Sequence, residues 1–208
     1  MAHNFFIALE GIDGSGKSTQ TKLLHHLLSK AGMQVQIDFE PTDNEIGRLL
    51  RHIFSGKINA NQYTIAALFA ADRLDHILSP KNGLQKKLAE GYTVICDRYY
   101  LSSLAYHSVH VPIDWVMDCN KMAMQLLKPH LHVFVDVPPA LAMQRLKQSR
   151  PQLEMYETLS NLEAVYAKYQ EAIEKINAEE NIFRVDGTQN PDSISALIFE
   201  ELQRRFSI

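Results

Sequence analysis

Cysteine is scarce: the 208 residues hold two, Cys96 and Cys119, without metal-type spacing between them. Both read as packed or incidental thiols, which leaves no thiolate metal site. The nine histidines do not replace it, because they are dispersed along the chain. His25 and His26 are adjacent and would diverge on a helix, so no zinc site is expected. No apolar run approaches the roughly 18 residues of a membrane span, and the N-terminus lacks a basic segment followed by an apolar stretch and a cleavage site. The expectation is a soluble, cytoplasmic protein without a membrane partner. A basic surface is missing too: 21 Lys and Arg stand against 24 Asp and Glu, for a net charge of −3, and the cations are scattered. Nucleic-acid binding is therefore disfavoured. No Pro/Gly/Ser-rich linker, internal repeat or low-complexity tract divides the chain, so residues 1–208 read as a single domain.

What is present is a core-building composition, 46% hydrophobic, arranged in a recurring pattern. Apolar, β-rich runs recur at Phe5–Leu9, Val35–Phe39, Tyr92–Cys96, His132–Val137 and Ile182–Val185, separated by longer segments with helical spacing. Strands alternating with helices predict an α/β fold, a five-stranded parallel sheet with helices on both faces. The segment Asn61–Leu78 reads as a helix whose apolar face is Tyr63, Ala67, Ala70, Leu74, Ile77 and Leu78. A last helix is predicted from Asn190 as N-cap and Pro191 at the first helical position, with Ile194, Leu197, Ile198 and Leu202 inward.

The first apolar run leads into Gly11-Ile12-Asp13-Gly14-Ser15-Gly16-Lys17-Ser18, a complete G-x-x-x-x-G-K-[ST] phosphate loop. Glycines let backbone N–H groups wrap a phosphate, a lysine reaches the β/γ oxygens, and a serine hydroxyl ligates Mg²⁺. Gly/Ser-rich turns with a lysine also arise by chance. Here the loop follows a buried-type strand and precedes a stripe of Leu23, Leu24, Leu27 and Leu28, which is the context a nucleoside-triphosphate site requires.

Ligands of open parallel sheets bind beyond the carboxyl ends of the strands. Those positions are polar here: Glu10, Glu40-Pro41-Thr42-Asp43, Asp97-Arg98-Tyr99 and Asp136. Polar loops are ordinary, but Asp97-Arg98 places a carboxylate and a guanidinium directly after a strand, beside a triphosphate. The acid suits Mg²⁺ held through its waters and the arginine a bidentate phosphate contact. Phe69 and Arg73 lie four apart on one helical face, which on spacing alone reads first as a core phenylalanine beside a surface arginine and also fits a ring and a guanidinium reading a nucleobase. From Arg145 to Glu157 the apolar pattern breaks, then resumes at Leu159, Leu162, Val165, Tyr166, Tyr169, Ile173 and Ile176. A mobile lid over about 146–157 and a solvated helix end both fit this excursion.

Taken as a set, the motifs resemble the thymidylate kinases, nucleoside-monophosphate kinases of the phosphate-loop class. The likeness rests on Leu9 to Gln20, Leu68-Phe69-Ala70-Ala71-Asp72-Arg73, Asp97-Arg98-Tyr99 with Ser102-Ser103-Leu104-Ala105-Tyr106, and Val135-Asp136-Val137-Pro138-Pro139. It runs from Phe5 to about Gly187. The resemblance implies ATP-dependent conversion of dTMP to dTDP with Mg²⁺, and a homodimer. It implies an ATP site formed by Gly11, Ile12, Asp13, Gly14, Ser15, Gly16, Lys17, Ser18, Thr19 and an adenine-stacking Arg145, with Ser18 and Asp97 toward the metal. For dTMP it implies Phe69 stacking on thymine, Arg73 at its O4 edge, Arg98 on the phosphate with Arg51 as a second, and Asp13 facing the acceptor. Ser103 and His107 complete that site, and Tyr106 sits near the deoxyribose.

The chain departs from the family pattern in three places. Thr42-Asp43 replaces a Gly-Gly, His107 stands where many bacterial members carry Gln, and Met155 occupies the arginine position of the lid motif Glu154-Met155-Tyr156-Glu157. Gly14 stands where one class of these enzymes carries a loop arginine. The chain therefore resembles the class that supplies this charge from the lid, which makes Arg150 the candidate catalytic cation alongside Lys17, Asp97, Arg98 and Asp13. Two rivals are a kinase for another monophosphate and a GTP-dependent switch. The switch would need Asn-Lys-x-Asp, which Asn120-Lys121-Met122-Ala123 does not supply.

Overall fold

A computed structural model describes residues 4–149, 158–206 and 208 of the chain. Its elements run β1 (Phe6–Glu10), α1 (Lys17–Lys30), β2 (Val35–Phe39), α2 (Glu45–Phe54), α3 (Gln62–Leu78), α4 (Leu84–Ala89), β3 (Thr93–Asp97), α5 (Tyr100–Tyr106), α6 (Ile113–Leu126), β4 (Leu131–Asp136), α7 (Pro139–Ser149), α8 (Leu159–Ile176), β5 (Ile182–Asp186) and α9 (Pro191–Phe206). A short 3-10 turn occupies His107–Val109. The five strands form one sheet in the order β2-β3-β1-β4-β5, and every neighbouring pair is parallel. Every residue of β1 is buried, as expected of a central strand covered on both faces.

Register decides where the polar strand ends meet. Leu9 stands opposite Asp97 on one side and Val133 on the other, and Phe39 is also level with Asp97. The phosphate loop, the Asp97-Arg98 turn and the Glu40-Pro41 turn therefore leave the sheet at one edge. The chain switches sides at β1, with β3 to one flank and β4 to the other, which opens the crevice where open α/β sheets hold ligands.

Helix α9 begins at Pro191 as the sequence predicts, and Asn61 caps α3, its side chain accepting from the Thr64 amide. The inward faces differ from expectation at several positions. On α9, Leu197 is exposed while Ser195 is buried, and on α8, Leu159 is exposed. The larger correction is α3: Tyr63, Ala67 and Leu78 face outward, while Asp72, Arg73 and His76 are buried together with Ile65, Ala66, Ala70 and Ile77. Hydrophobic spacing misplaces this face because the helix turns three charged side chains inward, where partners on neighbouring elements satisfy them. The proposed lid start is also helical: residues 146–149 form the last turn of α7, with Leu146 in the core. Arg150, Met155 and the rest of that lid segment, 150–157, lie outside the described residues.

Candidate active site

The phosphate loop is built from positive-φ glycines. Gly11, Gly14 and Gly16 have φ of 143°, 78° and 99°. At Gly14 a side chain is excluded twice, by that φ and because a Cβ would lie 2.4 Å from the Ala142 carbonyl oxygen of α7. Helix α1 then starts at Lys17 with no acidic residue of its own in the first turn. Lys17 is 6% exposed and its Nζ donates to the Ile12 carbonyl at 3.0 Å. Burial, reinforced by Arg98, pulls its pKa down to about 8 against the pull of Asp97, Asp13 and Glu10.

Asp97 ends β3 directly beside this loop. Its Oδ2 accepts from the Ser18 hydroxyl at 2.7 Å, and its Oδ1 is buried without a hydrogen-bond partner. A carboxylate with an unsatisfied oxygen next to a hydroxyl is the donor set a hard divalent cation takes, so these residues fit Mg²⁺. Among the described residues no cluster of three or more His, Cys, Asp or Glu suits a metal.

Arg98 follows in the left-handed region, φ 74°, a conformation that costs a non-glycine residue about 1–3 kcal/mol. Its surroundings impose it. The Arg98 amide donates to Leu9, and the next amide, of Tyr99, donates to the buried carboxylate of Glu10 at 3.0 Å. Glu10 also accepts from Ser102 at 2.5 Å, and Tyr169 of α8 donates to it at 3.3 Å. The Arg98 guanidinium is thereby aimed back at the loop, where it meets Asp13 at 2.5 Å, the Gly11 carbonyl at 3.3 Å and the Tyr106 hydroxyl at 3.0 Å. It also stacks over the Tyr106 ring, 4.6 Å from the centroid. Burial alone would raise the Asp13 carboxyl, but Arg98 and Lys17 overcome it and hold the group below the usual carboxylate range. Tyr106 locks the arrangement by donating to Asp13 while accepting from the Asp13 amide.

Beside this cluster lies a cavity of about 650 Å³. Asp13, Arg51, Phe69, Arg73, Arg98, Ser103, Tyr106 and His107 all contribute to its wall, so the eight positions assigned to dTMP from the resemblance meet in one place. Phe39, Phe54 and Ile65 make much of the remaining wall apolar. The Phe69 ring lies 4.8 Å from His107, and burial, reinforced by Arg73 and His110, pushes the imidazole pKa down to about 3. His107 is therefore a neutral hydrogen-bonding group in the wall at any physiological pH.

Arg73 is 1% exposed and is not a surface arginine. Its Nε and Nη2 pair with Glu40 at 2.8 and 2.7 Å, and its Nη1 donates to Ser103 and Asn120. Thr42, one of the departures from the family pattern, donates through its amide and hydroxyl to Asp72 at 2.8 and 2.6 Å. Its neighbour Asp43 accepts from Arg51, which also holds the Pro41 and Thr42 carbonyls. Arg145 of α7 donates to the Ser15 carbonyl at 3.4 Å and to Gly187 at 2.9 Å, bridging the phosphate loop and the turn after β5.

Several residues of this network were not assigned roles from sequence. Glu10 and Glu40 stand out only as acids directly after strands, a signal that was present. Tyr169 reads as one more aromatic in the α8 stripe, and Asn120 as part of a failed guanine motif. His76, three residues after Arg73, carries the same helical signal as Arg73 itself.

The family model for thymidylate kinase matches residues 9–198. A probable thymidylate kinase of Staphylothermus marinus is 38% identical over 174 residues, 83% of each chain. One of Methanocaldococcus jannaschii is 38% identical over 178 residues, covering 85% of this chain and 86% of its own. One of Pyrobaculum aerophilum is 36% identical over 200 residues, 96% of both.

Proposed function

The chain belongs to the thymidylate kinase family, and on that premise we propose that it transfers the γ-phosphoryl group of ATP to dTMP, bound in the cavity beside the phosphate loop. The observation that carries this is the cavity's lining: Arg98, paired with Asp13 of the phosphate loop, shares one wall with the Phe69 ring, Arg73, Ser103 and neutral His107. A ligand that joins a phosphate to a flat, hydrogen-bonding base matches that set.

In this reading Phe69 stacks on thymine, Arg73 donates to its O4 edge, Ser103 and His107 complete the edge contacts, and Tyr106 closes on the deoxyribose. Arg98 and Arg51 hold the acceptor phosphate, with Asp13 facing it. The loop from Gly11 to Thr19 holds the donor triphosphate, and Arg145 flanks adenine.

A phosphate monoester has a second pKa near 6, so the acceptor is largely dianionic at neutral pH and needs no general base. The obstacle is charge: at about 4 Å, two unit charges repel by roughly 4 kcal/mol at an effective dielectric near 20. Lys17, Arg98 and, from the lid, Arg150 offset this repulsion and favour the transferring group. Ser18 and Asp97 would hold Mg²⁺, which when bound neutralises charge on the donor phosphates. The proposal includes a cytoplasmic homodimer. Exposed Tyr63 and Leu78 on α3 and Met122 on α6 offer apolar surface for a second copy, and sedimentation equilibrium tests it.

Turnover measured with dTMP, dUMP, dCMP and dGMP tests the function. Preference for dTMP is expected. Faster turnover of dCMP or dGMP would transfer the assignment to another monophosphate, and nucleotide binding without transfer would favour a switch.

A further inference from the structure

Behind the cavity wall runs a chain of paired charges, half-buried at Lys87 and Asp38 and buried at His76, Glu40 and Arg73, that reaches from α4 to the cavity. Lys87 of α4 pairs with Asp38 of β2 at 2.6 Å, and Asp38 lies 3.7 Å from His76 Nε2. His76 Nδ1 meets Glu40 Oε1 at 3.1 Å, and Glu40 Oε2 holds Arg73. We propose that His76 is a positioning residue for the acceptor: by occupying one oxygen of Glu40 it leaves the other to fix Arg73, and so sets the guanidinium at the edge of the base. The proposal deepens the assignment of the cavity to dTMP and rests on it.

Donor counting explains why orientation matters here. A guanidinium has five N–H groups. Arg73 donates Nε–H to Glu40 Oε2, holds Nη2 2.7 Å from the same oxygen, and donates through Nη1 to Ser103 and Asn120. Nη2 carries the N–H left for the base, and its direction is set by Glu40. Glu40 is 4% exposed, and without His76 its Oε1 would be buried and unpaired. A carboxylate in that position gains by turning to offer both oxygens to Arg73, and the free N–H turns with it.

Charge supports the same role. The groups facing His76 are Asp38 and Glu40 from the β2 side, Asp72 and Arg73 on its own helix and, through Asp38, Lys87. Nearby Cys96 is a thiol whose pKa burial pushes up, so it contributes no charge. Three acids then face Arg73 and Lys87, and a protonated His76 completes the balance. Although burial works against it, hydrogen bonds and charge from Asp38 and Glu40 raise the His76 pKa to about 9. The pair is intact below that pH and weakens as pH rises through it.

The test is steady-state kinetics of the full chain between pH 7 and 10, comparing wild type with His76→Asn, which keeps a donor near Nδ1 and removes the charge. At pH 7.5 the KM for dTMP should rise about tenfold, with kcat and the KM for ATP within twofold. Toward pH 10 the wild-type KM for dTMP should climb to meet that of the variant, and Asp38→Asn should move this climb to lower pH. Lys17 titrates in all three proteins, so differences between them report His76. Equal changes in both KM values, or a wild-type to variant ratio that does not vary with pH, would overturn the role. Should His76→Asn fail to fold, wild type against Asp38→Asn decides, and superimposable profiles refute it. A wild type that neither binds nor turns over dTMP overturns the cavity assignment and the positioning role together. An active wild type with an unaltered variant overturns the positioning role alone.

Discussion

Lys17 should take up a proton when ATP binds, and the amount follows from its burial. A free lysine titrates at 10.5, whereas this ammonium, 6% exposed and close to Arg98, titrates at about 8. The difference corresponds to about 3 kcal/mol against the charged form. Its sign in stability is fixed: between pH 8 and 10.5 the unfolded chain binds more protons at this site than the folded one, so Lys17 makes stability rise with pH across that window. A triphosphate in the loop reverses the local balance by placing oxygen anions against Nζ, which restores the proton. With a pKa of about 8, roughly a tenth of the lysines are neutral at pH 7, half at pH 8 and nine tenths at pH 9. Uptake per ATP should follow these fractions. Calorimetric titration at pH 8 and 9, in buffers of different ionisation enthalpy, reads it directly, and Lys17→Arg, which never loses its charge, should abolish it. Uptake below about 0.1 proton at both pH values would refute the claim that its surroundings lower the pKa of this lysine. Lys17→Ala should fold and retain less than about a tenth of wild-type turnover, because the side chain bears charge and supports no packing.

Phe69→Ala should raise the KM for dTMP by about 5- to 150-fold, the equivalent of 1–3 kcal/mol of stacking, and Arg73→Ala should raise it by removing the donor at the base edge, each leaving the KM for ATP almost unchanged. Equal effects on both substrates would return α3 to a packing role. Arg150→Ala should lower kcat and kcat/KM together with ATP affinity preserved, and an unaltered kcat would end its assignment to the transferring phosphoryl group. Gly14→Ala should cost about 2 kcal/mol and lower Tm by roughly 4–8 °C in a thermal melt, since φ is 78° and the new Cβ would meet Ala142; an unchanged Tm would show that α7 yields there.

The sheet and the loop were legible because each carries a local signal. Five apolar runs became five strands, and glycines at fixed spacing became a turn with positive φ. Neighbour order within the sheet has no local signal and comes from packing. Charged residues inside α3 were misread for a physical reason. Hydrophobic periodicity assigns Asp72, Arg73 and His76 to solvent because isolated charges do not bury, yet Thr42, Glu40 and Asp38, distant in sequence, make their burial possible. Spacing from Phe69 offers Arg73 as one of two readings and the resemblance selects it, while His76, under the same rule, carries no such second signal. Glu10 shows the opposite limit: its position at the end of β1 marks it as unusual, but only the fold shows that it is spent on the Tyr99 amide and the Ser102 hydroxyl.

In the proposed function Arg98 is the phosphate anchor, and that use of Glu10 explains how one strained residue can fill the role. Arg98 pairs with Asp13 in this structure, so an acceptor phosphate meets a guanidinium whose charge is already partly compensated. Exchanging one anion for another yields less net affinity than adding an anion to a free cation. What the arrangement supplies instead is position. Arg98 is held by its backbone through Leu9 and Glu10, and by its side chain through Gly11, Ser102 and Tyr106, before any ligand arrives. Little side-chain freedom remains to be lost on binding, and the guanidinium need not reorganise as charge moves between two polyanions. The backbone cost at φ 74° is thus offset by contacts that also fix the site's geometry, so on the proposed function a substitution at Glu10, which does not line the cavity, acts on the reaction through Arg98.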